Sequence, residues 1–500
     1  MSWRYGACSN SMKHLIVNAA LCIVLLGAFF QTALAEEKSI PKTTEPLLIE
    51  AKKKPHQEWV PRETYTIRQL SGYQAKPDPE YSRYGGMVGT QFPATGFFYT
   101  KKYNDRWWLV DPEGHLCIHK AVCSVSPGGS DAFTQNRRTK FGSEEDWAEA
   151  TTTLLKELGF NGSASWSDNP LLQSTTNRPV YTQKWSFMAS YAKQRGIAKM
   201  GSGNHKYDGN VIPVFDPDFE AFADEYANQL AETKDDPYLL GHFSDNEMPL
   251  KPDALDLCLQ LDSGDASYQA AIDWLRDRKG REDVEPDDIS EKDRDAFYEY
   301  YLERYFTVVS AAIKKYDPNH LYIGIRLIGV SDNETMMRTY GKYADVLSIN
   351  WYGDWMLPCE RMGNWAKWAD RPFIISEWYA KGHDVPGLTN ESGAGWLVKT
   401  QKERGYYYQN MALNLLARKN NVGWHWFKYA DNDPDDLATD PSNRNSNKGI
   451  VNVEYEPYTD LVDVMKELNT QAYRLIEFFD DASYSDASSP AVPKHSTVTR

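Results

Sequence analysis

Two glutamates, Glu247 and Glu377, each stand at the end of a short apolar run of the sequence. The stretch 238–247 is apolar until it ends in Asp-Asn-Glu, and the stretch 372–377 is apolar until it ends in Ser-Glu. Such runs are typical of buried strands, and α/β barrels keep their chemistry at the carboxyl ends of their strands. Glycoside hydrolysis needs one carboxylic acid to protonate the leaving oxygen and a second carboxylate to attack carbon or to activate water. We therefore predict Glu247 as general acid/base and Glu377 as nucleophile.

The alternative for one strand-terminal glutamate is an ordinary salt bridge. Two of them, each ending an apolar run, favour a shared pocket instead, because strands four and seven of a barrel face each other across its mouth. A nucleophilic role for Glu377 requires the two carboxyl groups to lie about 5–5.5 Å apart, whereas an inverting enzyme would need about 6.5–9.5 Å.

Several polar and aromatic residues near the strand ends are predicted to bind substrate. Asn246 would bind a sugar hydroxyl, and Tyr352 would donate a hydrogen bond to the nucleophile. Arg326 would lower the pKa of the nucleophile by its positive charge, although an ordinary ion pair inside the barrel is the alternative. The strand-end tryptophans are interpreted as sugar-stacking platforms, with core packing as the alternative. The predicted substrate-binding residues are Trp166, Asp168, Asn246, Arg326, Asn350, Tyr352, Trp378, Trp424 and Trp426.

The sequence predicts neither a metal nor a cofactor. It carries no HxH or HExxH cluster, which counts against a metal-dependent hydrolase. The stretch 431–435 imitates the start of a calcium loop, but Asp436 stands where the turn needs glycine and Ser442 where the bidentate glutamate belongs. We interpret this stretch as a solvated loop. The stretch 381–395, rich in Gly, Pro and Asn directly after Glu377, is predicted as a pocket wall or lid.

The elements that must position these residues alternate between strand and helix. Helical patterns cover 144–158, 219–233, much of 254–316 and 458–479. This alternation predicts an α/β fold with a parallel (β/α)8 TIM barrel and a leading β-meander over residues 95–480. The segment 36–94 is predicted as a linker or arm, and 481–500 as a disordered tail. The predicted barrel strands are 115–122, 160–166, 184–191, 238–247, 321–326, 346–352, 372–377 and 422–427.

The net charge of the chain indicates which partners it can bind, and its first residues indicate its cellular location. The net charge of −15 argues against a nucleic-acid partner, whose phosphates call for a basic patch. Residues 1–35 read as a signal peptide, since Arg4 and Lys13 precede an apolar run that ends in Ala-Leu-Ala. A retained anchor is the alternative, but the run is shorter than the roughly 20 residues that span a membrane. We predict a secreted or periplasmic protein that binds a polysaccharide or oligosaccharide and has no integral membrane span after cleavage.

The late part of the chain resembles a known family. The motifs are Asp245-Asn246-Glu247, Ser376-Glu377-Trp378-Tyr379, Gly393-Ala394-Gly395-Trp396 with Thr400-Gln401, Tyr408-Gln409-Asn410 and the run 422–429. They resemble the glycoside hydrolase family 50 β-agarases over residues 96–479. The resemblance implies a retaining barrel enzyme that cleaves β-1,4-galactosyl linkages of agarose or its oligosaccharides.

The same resemblance leaves the substrate open at one point. The segment before Thr95 is too short for the N-terminal sugar-binding-like domain of the family's agarases. Another β-galactan or β-glycan is therefore the alternative substrate. The surplus of tryptophan, 16 residues in all, is equally compatible with a non-catalytic carbohydrate-binding barrel.

Overall fold

A parallel sheet of eight strands forms the centre of the structure, a computed structural model that describes residues 40–201 and 204–481. The predicted signal peptide and residues 482–500 of the predicted tail lie outside the described residues. The strands are β1 (Leu47–Lys52), β2 (Val60–Thr64), β3 (Met87–Gln91), β4 (Tyr99–Tyr103), β5 (Arg106–Val110), β6 (His115–Cys117), β7 (His119–Val122), β8 (Gly162–Ser163), β9 (Val180–Lys184), β10 (Ala198–Met200), β11 (His205–Tyr207), β12 (Leu239–Phe243), β13 (Leu321–Tyr322), β14 (Leu347–Asn350), β15 (Phe373–Trp378), β16 (Ala380–Gly382), β17 (Trp396–Val398) and β18 (Asn421–Trp426).

Helices follow most strands of the central sheet, so the fold is mixed α/β. They are α1 (Asp131–Lys140), α2 (Glu144–Glu157), α3 (Asn169–Gln173), α4 (Phe187–Gln194), α5 (Phe219–Ala227), α6 (Ala254–Cys258), α7 (Ala266–Lys279), α8 (Glu291–Tyr316), α9 (Glu334–Tyr343), α10 (Cys359–Ala369), α11 (Gln401–Leu416), α12 (Thr459–Asn469) and α13 (Ala472–Asp480), with short 3-10 turns at 67–69, 208–210, 228–232 and 286–288.

The central sheet is barrel-like. Its strand order is β13-β12-β9-β8-β7-β18-β15-β14, and every pair in it is parallel. A further parallel bridge joins Leu327, which follows β13, to Ile349 of β14. Across it the Leu327 N–H donates to Ser348 O at 2.9 Å, and the Asn350 N–H donates to Leu327 O at 2.9 Å. The two outer strands of the sheet are therefore linked to each other.

Sequence determines these elements by familiar means. Strands β15 and β18 are buried at every residue, as expected for parallel strands covered on both faces. Helix α8 begins with a capping box between Ser290 and Asp293 and carries Lys314 and Lys315 in its last turn, where cations favour the helix dipole.

The predicted strands 160–166 and 321–326 are only two residues long in the structure, as β8 and β13. Two other predicted strands differ more. The third is Val180–Lys184, and the predicted range 184–191 is largely helix α4, because Phe187, Met188 and Tyr191 recur at helical spacing and are buried together. The predicted first strand is divided into β6 and β7. Strand β6 belongs to an antiparallel sheet of order β3-β6-β5-β4, and only β7 enters the central sheet.

That antiparallel sheet covers the amino-terminal end of the barrel-like sheet. A separate apolar cluster joins Phe98, Leu109 and Cys117 to residues at the starts of central strands, among them Leu240 and Ile374. The carboxyl ends of the strands are left for the site. Among residues 40–201 and 204–481 there is no helix whose length and apolar character would suit a membrane crossing.

Candidate active site

Glu247 and Glu377 line one cavity of about 330 Å³ at the carboxyl ends of the central strands. Glu247 stands four residues beyond the end of β12, and Glu377 lies within β15. Trp166, Asn246 and Tyr352 are further wall residues. The structure therefore brings the two predicted carboxylates and three of the predicted ligands together.

Glu377 is held by a buried network centred on Arg326. Glu377 is 8% exposed, and its carboxylate forms an ion pair with Arg326 Nη2 and accepts a hydrogen bond from the Tyr352 hydroxyl. Arg326 Nε donates to Asn246 Oδ1 at 2.7 Å, and its Nη1 donates to Ser376 O at 2.8 Å. Since every arm of the guanidinium is engaged, Arg326 holds the Glu377 side chain in one position.

Glu247 has a different environment. Its Oε1 accepts from Asn350 Nδ2 at 2.8 Å, and Asn350 Oδ1 accepts in turn from Ser376 Oγ at 2.8 Å. Burial, together with the negative charge of Glu377, raises the pKa of Glu247 to about 7, against the opposing effects of Asn350 and Arg326. A carboxyl group with this pKa holds its proton near neutral pH, which suits a proton donor.

The two carboxyl groups thus sit in one cavity with opposite electrostatic environments. Arg326 forms an ion pair with Glu377, whereas Glu247 is hydrogen-bonded to a neutral amide. Two carboxyl groups in one site can take different roles when their environments differ in this way. The arrangement can supply one proton donor and one anion to the same bond.

Replacing Arg326 with methionine is expected to destabilise the protein by about 3–5 kcal/mol, because it leaves the buried Glu377 carboxylate without its counter-ion. The measurement is the free energy of unfolding in guanidinium chloride. Arg338→Met is the matched control, since Arg338 forms an ion pair with Glu299 at the surface, where its side chain is 41% exposed. It should cost less than about 1 kcal/mol. Equal losses in the two variants would contradict the prediction.

Four residues at the carboxyl ends of central strands have left-handed backbone conformations. They are Ser124, Trp166, Glu247 and Arg326, with φ of 55°, 63°, 51° and 51°. Left-handed φ values are uncommon outside glycine and concentrate at functional sites, where the surrounding structure maintains them. All four belong to the cavity wall or to the network that holds Glu377.

The described residues contain one group of metal-ligand type, His242, Asp317 and His320. Asp317 Oδ2 lies 2.7 Å from both His242 Nε2 and His320 Nδ1. The other ring nitrogens are also engaged, His242 Nδ1 by Trp185 at 3.0 Å and His320 Nε2 by Asp236 O at 2.9 Å. Because every ring nitrogen has a protein partner, this group acts as a hydrogen-bond network of the core.

No protein-family model matches the chain. It is 24% identical over 498 residues to Beta-agarase B of Vibrio sp. (strain JT0107), with 79% of this chain and 50% of that protein covered. It is 27% identical over 422 residues to Beta-agarase A of the same strain, with 73% and 40% covered. The chain therefore spans half or less of the length of these curated relatives.

A solved structure decides the family. The crystal structure of BpGH50 is 30% identical, superposes with a TM-score of 0.76, and is covered over 98% of its length by 88% of this chain. The chain belongs to glycoside hydrolase family 50. The predicted family is thus confirmed. The crystal structure of an agarase, AgWH50C, is 23% identical with a TM-score of 0.67 over 80% of this chain and 67% of that one, and shares the fold.

In this family 50 chain, the four tryptophans that were predicted to bind substrate divide into an exposed and a buried group. Trp166 is 41% exposed in the cavity wall, with one face against the Arg326 guanidinium at 4.5 Å from the ring centroid. Trp378, Trp424 and Trp426 are 0% exposed and pack around Tyr408 of helix α11. These three point away from the cavity, so their predicted role in binding sugar is corrected to core packing.

Trp166→Ala is expected to raise KM about tenfold with little loss of stability, because the lost ring is a half-exposed stacking surface. Trp378→Ala is the matched comparison. It removes a fully buried indole and should lower the free energy of unfolding by about 3–5 kcal/mol. Steady-state kinetics and denaturant unfolding of both variants check this. A large loss of stability in Trp166→Ala, or no loss in Trp378→Ala, would contradict the assignment of Trp166 to the cavity wall and of Trp378 to the core.

Asp168 is not a wall residue of the cavity. It is the N-cap of helix α3, where its Oδ1 accepts from the Leu171 N–H at 3.3 Å. A carboxylate at that point stabilises the first turn of the helix. Its predicted role in binding substrate is corrected accordingly. Asn350 reaches the site through Glu247 and Ser376, so its contacts are those of a positioning residue.

Residues that the sequence analysis did not predict to bind substrate complete the cavity. They include Lys184, Tyr379, Phe427 and Lys448. The Lys448 ammonium lies 4.7 Å from the Tyr379 ring centroid, and Gly393 at φ 78° lets both side chains approach the backbone, where a Cβ would lie 2.3 Å from the Tyr379 hydroxyl. The one available signal was the run Gly393-Ala394-Gly395 inside the predicted pocket wall.

Proposed function

We propose that this family 50 chain is a (β/α)8 barrel glycosidase that cleaves β-1,4-galactosyl linkages of agarose or agaro-oligosaccharides with retention of configuration. The observation that carries the proposal is the pair of carboxyl groups in one cavity, one paired with Arg326 and the other with its pKa raised to about 7. The names of the curated relatives, both β-agarases, support the choice of substrate.

In the first step, Glu377 attacks the anomeric carbon while the glycosidic C–O bond breaks. Glu247 gives its proton to the departing oxygen, so the leaving sugar departs as a neutral alcohol. The product is a glycosyl ester of Glu377. Arg326 and Tyr352 orient the attacking carboxylate, and Asn246, held by Arg326, presents its amide to the sugar.

In the second step, the Glu247 carboxylate takes a proton from water as the water oxygen attacks the anomeric carbon. The bond to Glu377 breaks, and Glu247 regains the proton that it donated earlier. One water molecule is consumed, and both glutamates return to their initial states.

We also propose the domain limits and the location on the basis of the sequence pattern. Residues 1–35 act as a signal peptide for export to the periplasm or the medium, and 36–94 form an arm. Residues 95–480 form the catalytic unit with its leading β-meander. Mass spectrometry of the protein recovered from its native host tests the first limit, since the mature chain is expected to begin at Glu36.

A polysaccharide screen with product analysis tests the function. Agarose, agaro-oligosaccharides and other β-galactans and β-glycans are offered, and early products are followed by NMR and mass spectrometry. We expect oligosaccharides that carry galactose at the new reducing end, and this end should first appear as the β-anomer. Initial release of the α-anomer would contradict retention. Binding by calorimetry without turnover of any glycan would favour a carbohydrate-binding barrel.

A further inference from the structure

An N-terminal hairpin lies against the cavity wall. We call residues 47–64, which comprise β1, a turn and β2, the arm hairpin. Strand β1 pairs with β17, which pairs with β16, so that the sheet order is β16-β17-β1-β2. Because β16 begins two residues after the end of the strand that carries Glu377, the arm hairpin extends the backbone layer beside the nucleophile.

Two lysines hold one stretch of the cavity wall from both sides. Lys54 of the arm hairpin donates through Nζ to Glu391 O at 2.8 Å and to Gly393 O at 3.0 Å. Lys381 of β16 donates to the alternate carbonyls, Asn390 O at 2.9 Å and Ser392 O at 3.0 Å. Four successive carbonyl groups thus accept hydrogen bonds from two lysine side chains. Gly393 and the next residue line the cavity.

A third lysine reaches the residue that contacts the nucleophile. Lys53 Nζ donates to the backbone carbonyl of Tyr352, whose hydroxyl donates to Glu377. The Lys53 ammonium also lies 3.9 Å from the centroid of the Trp396 ring in β17, which favours one conformation of the side chain. The arm hairpin therefore contacts the site at two points, the wall at 390–393 and the backbone of Tyr352.

Other contacts fix the arm hairpin and its continuation to the rest of the fold. Thr64 Oγ1 accepts from Trp355 Nε1 at 3.1 Å, and the Tyr65 N–H donates to Asn410 Oδ1 at 2.8 Å. The Lys399 ammonium forms an ion pair with Glu50 of β1. With the backbone held in this way, Lys53 and Lys54 have a rigid base from which to act.

We propose that Lys53 and Lys54 are positioning residues of the active site, which makes the arm hairpin a working part of the catalytic machinery. Lys53 positions Tyr352 and through it the Glu377 carboxylate. Lys54, together with Lys381, positions the wall against which the substrate lies. Charge-assisted hydrogen bonds to carbonyl groups are stronger than neutral ones, which suits this role. The inference rests on the proposed function, because it concerns the turnover of a glycan.

Four variants test it: Lys53→Met, Lys54→Gln, Lys53→Arg and Lys54→Arg. Lys53→Met should lower kcat about tenfold, because small displacements of a group beside the nucleophile are costly. Lys54→Gln should raise KM about tenfold with kcat little changed, because its contacts are to the substrate-facing wall. The arginine variants keep the donors and should recover most of each loss. Lys140→Gln is the matched control, since Lys140 also donates to a backbone carbonyl, Tyr455 O at 2.7 Å, but neither residue lines the cavity, and it should leave both constants unchanged.

Hydrogen exchange separates this inference from the proposed function. In Lys54→Gln the amides of 390–394 should exchange at least about tenfold faster than in the wild type, while those of β15 keep their protection. If the wild type cleaves no glycan, the proposed function fails, and exchange alone decides whether Lys54 holds the wall. Kinetic constants within about twofold of the wild type in Lys53→Met and Lys54→Gln, or unchanged exchange in Lys54→Gln, would overturn the inference.

Discussion

Glu377→Ala is expected to lower kcat on agaro-oligosaccharides by roughly 10⁴-fold or more, because no other described carboxylate contacts Arg326 and Tyr352 at the point of attack. Addition of azide should restore turnover, since the small anion occupies the space of the missing carboxylate and attacks the anomeric carbon from the same face. The product is then a glycosyl azide of configuration opposite to that of the normal product. NMR identifies it directly.

Two comparisons make the Glu377 result specific. Glu377→Gln keeps the size of the side chain but replaces one acceptor oxygen with a donor and removes the negative charge, so it should be as inactive as alanine. Glu360→Ala, an exposed glutamate at the start of helix α10, should be fully active. Turnover of Glu377→Ala without azide at the wild-type rate would show that Glu377 is not the nucleophile.

Glu247→Gln is expected to lower kcat/KM on agaro-oligosaccharides by about 10²–10⁴-fold, which is the range for loss of a general acid. An aryl glycoside with an acidic leaving group needs no proton in the first step, so its glycosylation rate should fall far less. In the wild type, kcat/KM should decline as pH rises through about 7, where Glu247 loses its proton. That alkaline decline should be absent from the variant. An identical decline of kcat/KM in both proteins would show that another titratable group causes it.

The same carboxyl group also makes stability depend on pH. Its pKa in the folded protein lies above its ordinary value of 4.5, so the folded state holds the proton more firmly than the unfolded state. The stabilisation is fully present below about pH 4.5 and is lost as pH rises through about 7. At pH 8 Glu247→Gln should therefore be more stable than the wild type, by about 1–3 kcal/mol. Unfolding curves of both proteins at pH 5 and pH 8 measure the difference in the free energy of unfolding. If Glu247→Gln is no more stable than the wild type at pH 8, burial of a charged Glu247 does not destabilise the folded state.

The sequence predicted the carboxyl pair because apolar runs that end in glutamate are local signals. Parallel strands of a barrel-like sheet bring such ends to one edge, so two local signals were enough to place Glu247 and Glu377 in one cavity. The third strand was missed because β9, Val-Tyr-Thr-Gln-Lys, is only half apolar. The more apolar residues after it belong to a helix, whose period is harder to recognise over so short a range.

The burial of the tryptophans and the contacts of the arm hairpin could not be predicted from local sequence patterns. Trp166 and Trp378 both stand at or directly after the end of a predicted strand, yet one is half-exposed and the other fully buried. Which face of a strand meets the cavity depends on register and on the element packed behind it, here Tyr408 of α11. The contacts of Lys53 and Lys54 join residues roughly 300 or more positions apart in the chain, so no spacing rule could reveal them.

The left-handed strand ends also restrict how this scaffold can be diversified. Side chains branched at Cβ are nearly excluded from such backbone conformations, whereas glycine and asparagine accept them readily. A randomised library selected only for folding should therefore accumulate glycine and asparagine at Ser124, Trp166 and Glu247, and should keep Arg326, which is the counter-ion of the buried Glu377. A library selected for turnover should restore the original side chains, so the difference between the two outcomes would measure how much folding stability the natural chain gives up for its chemistry.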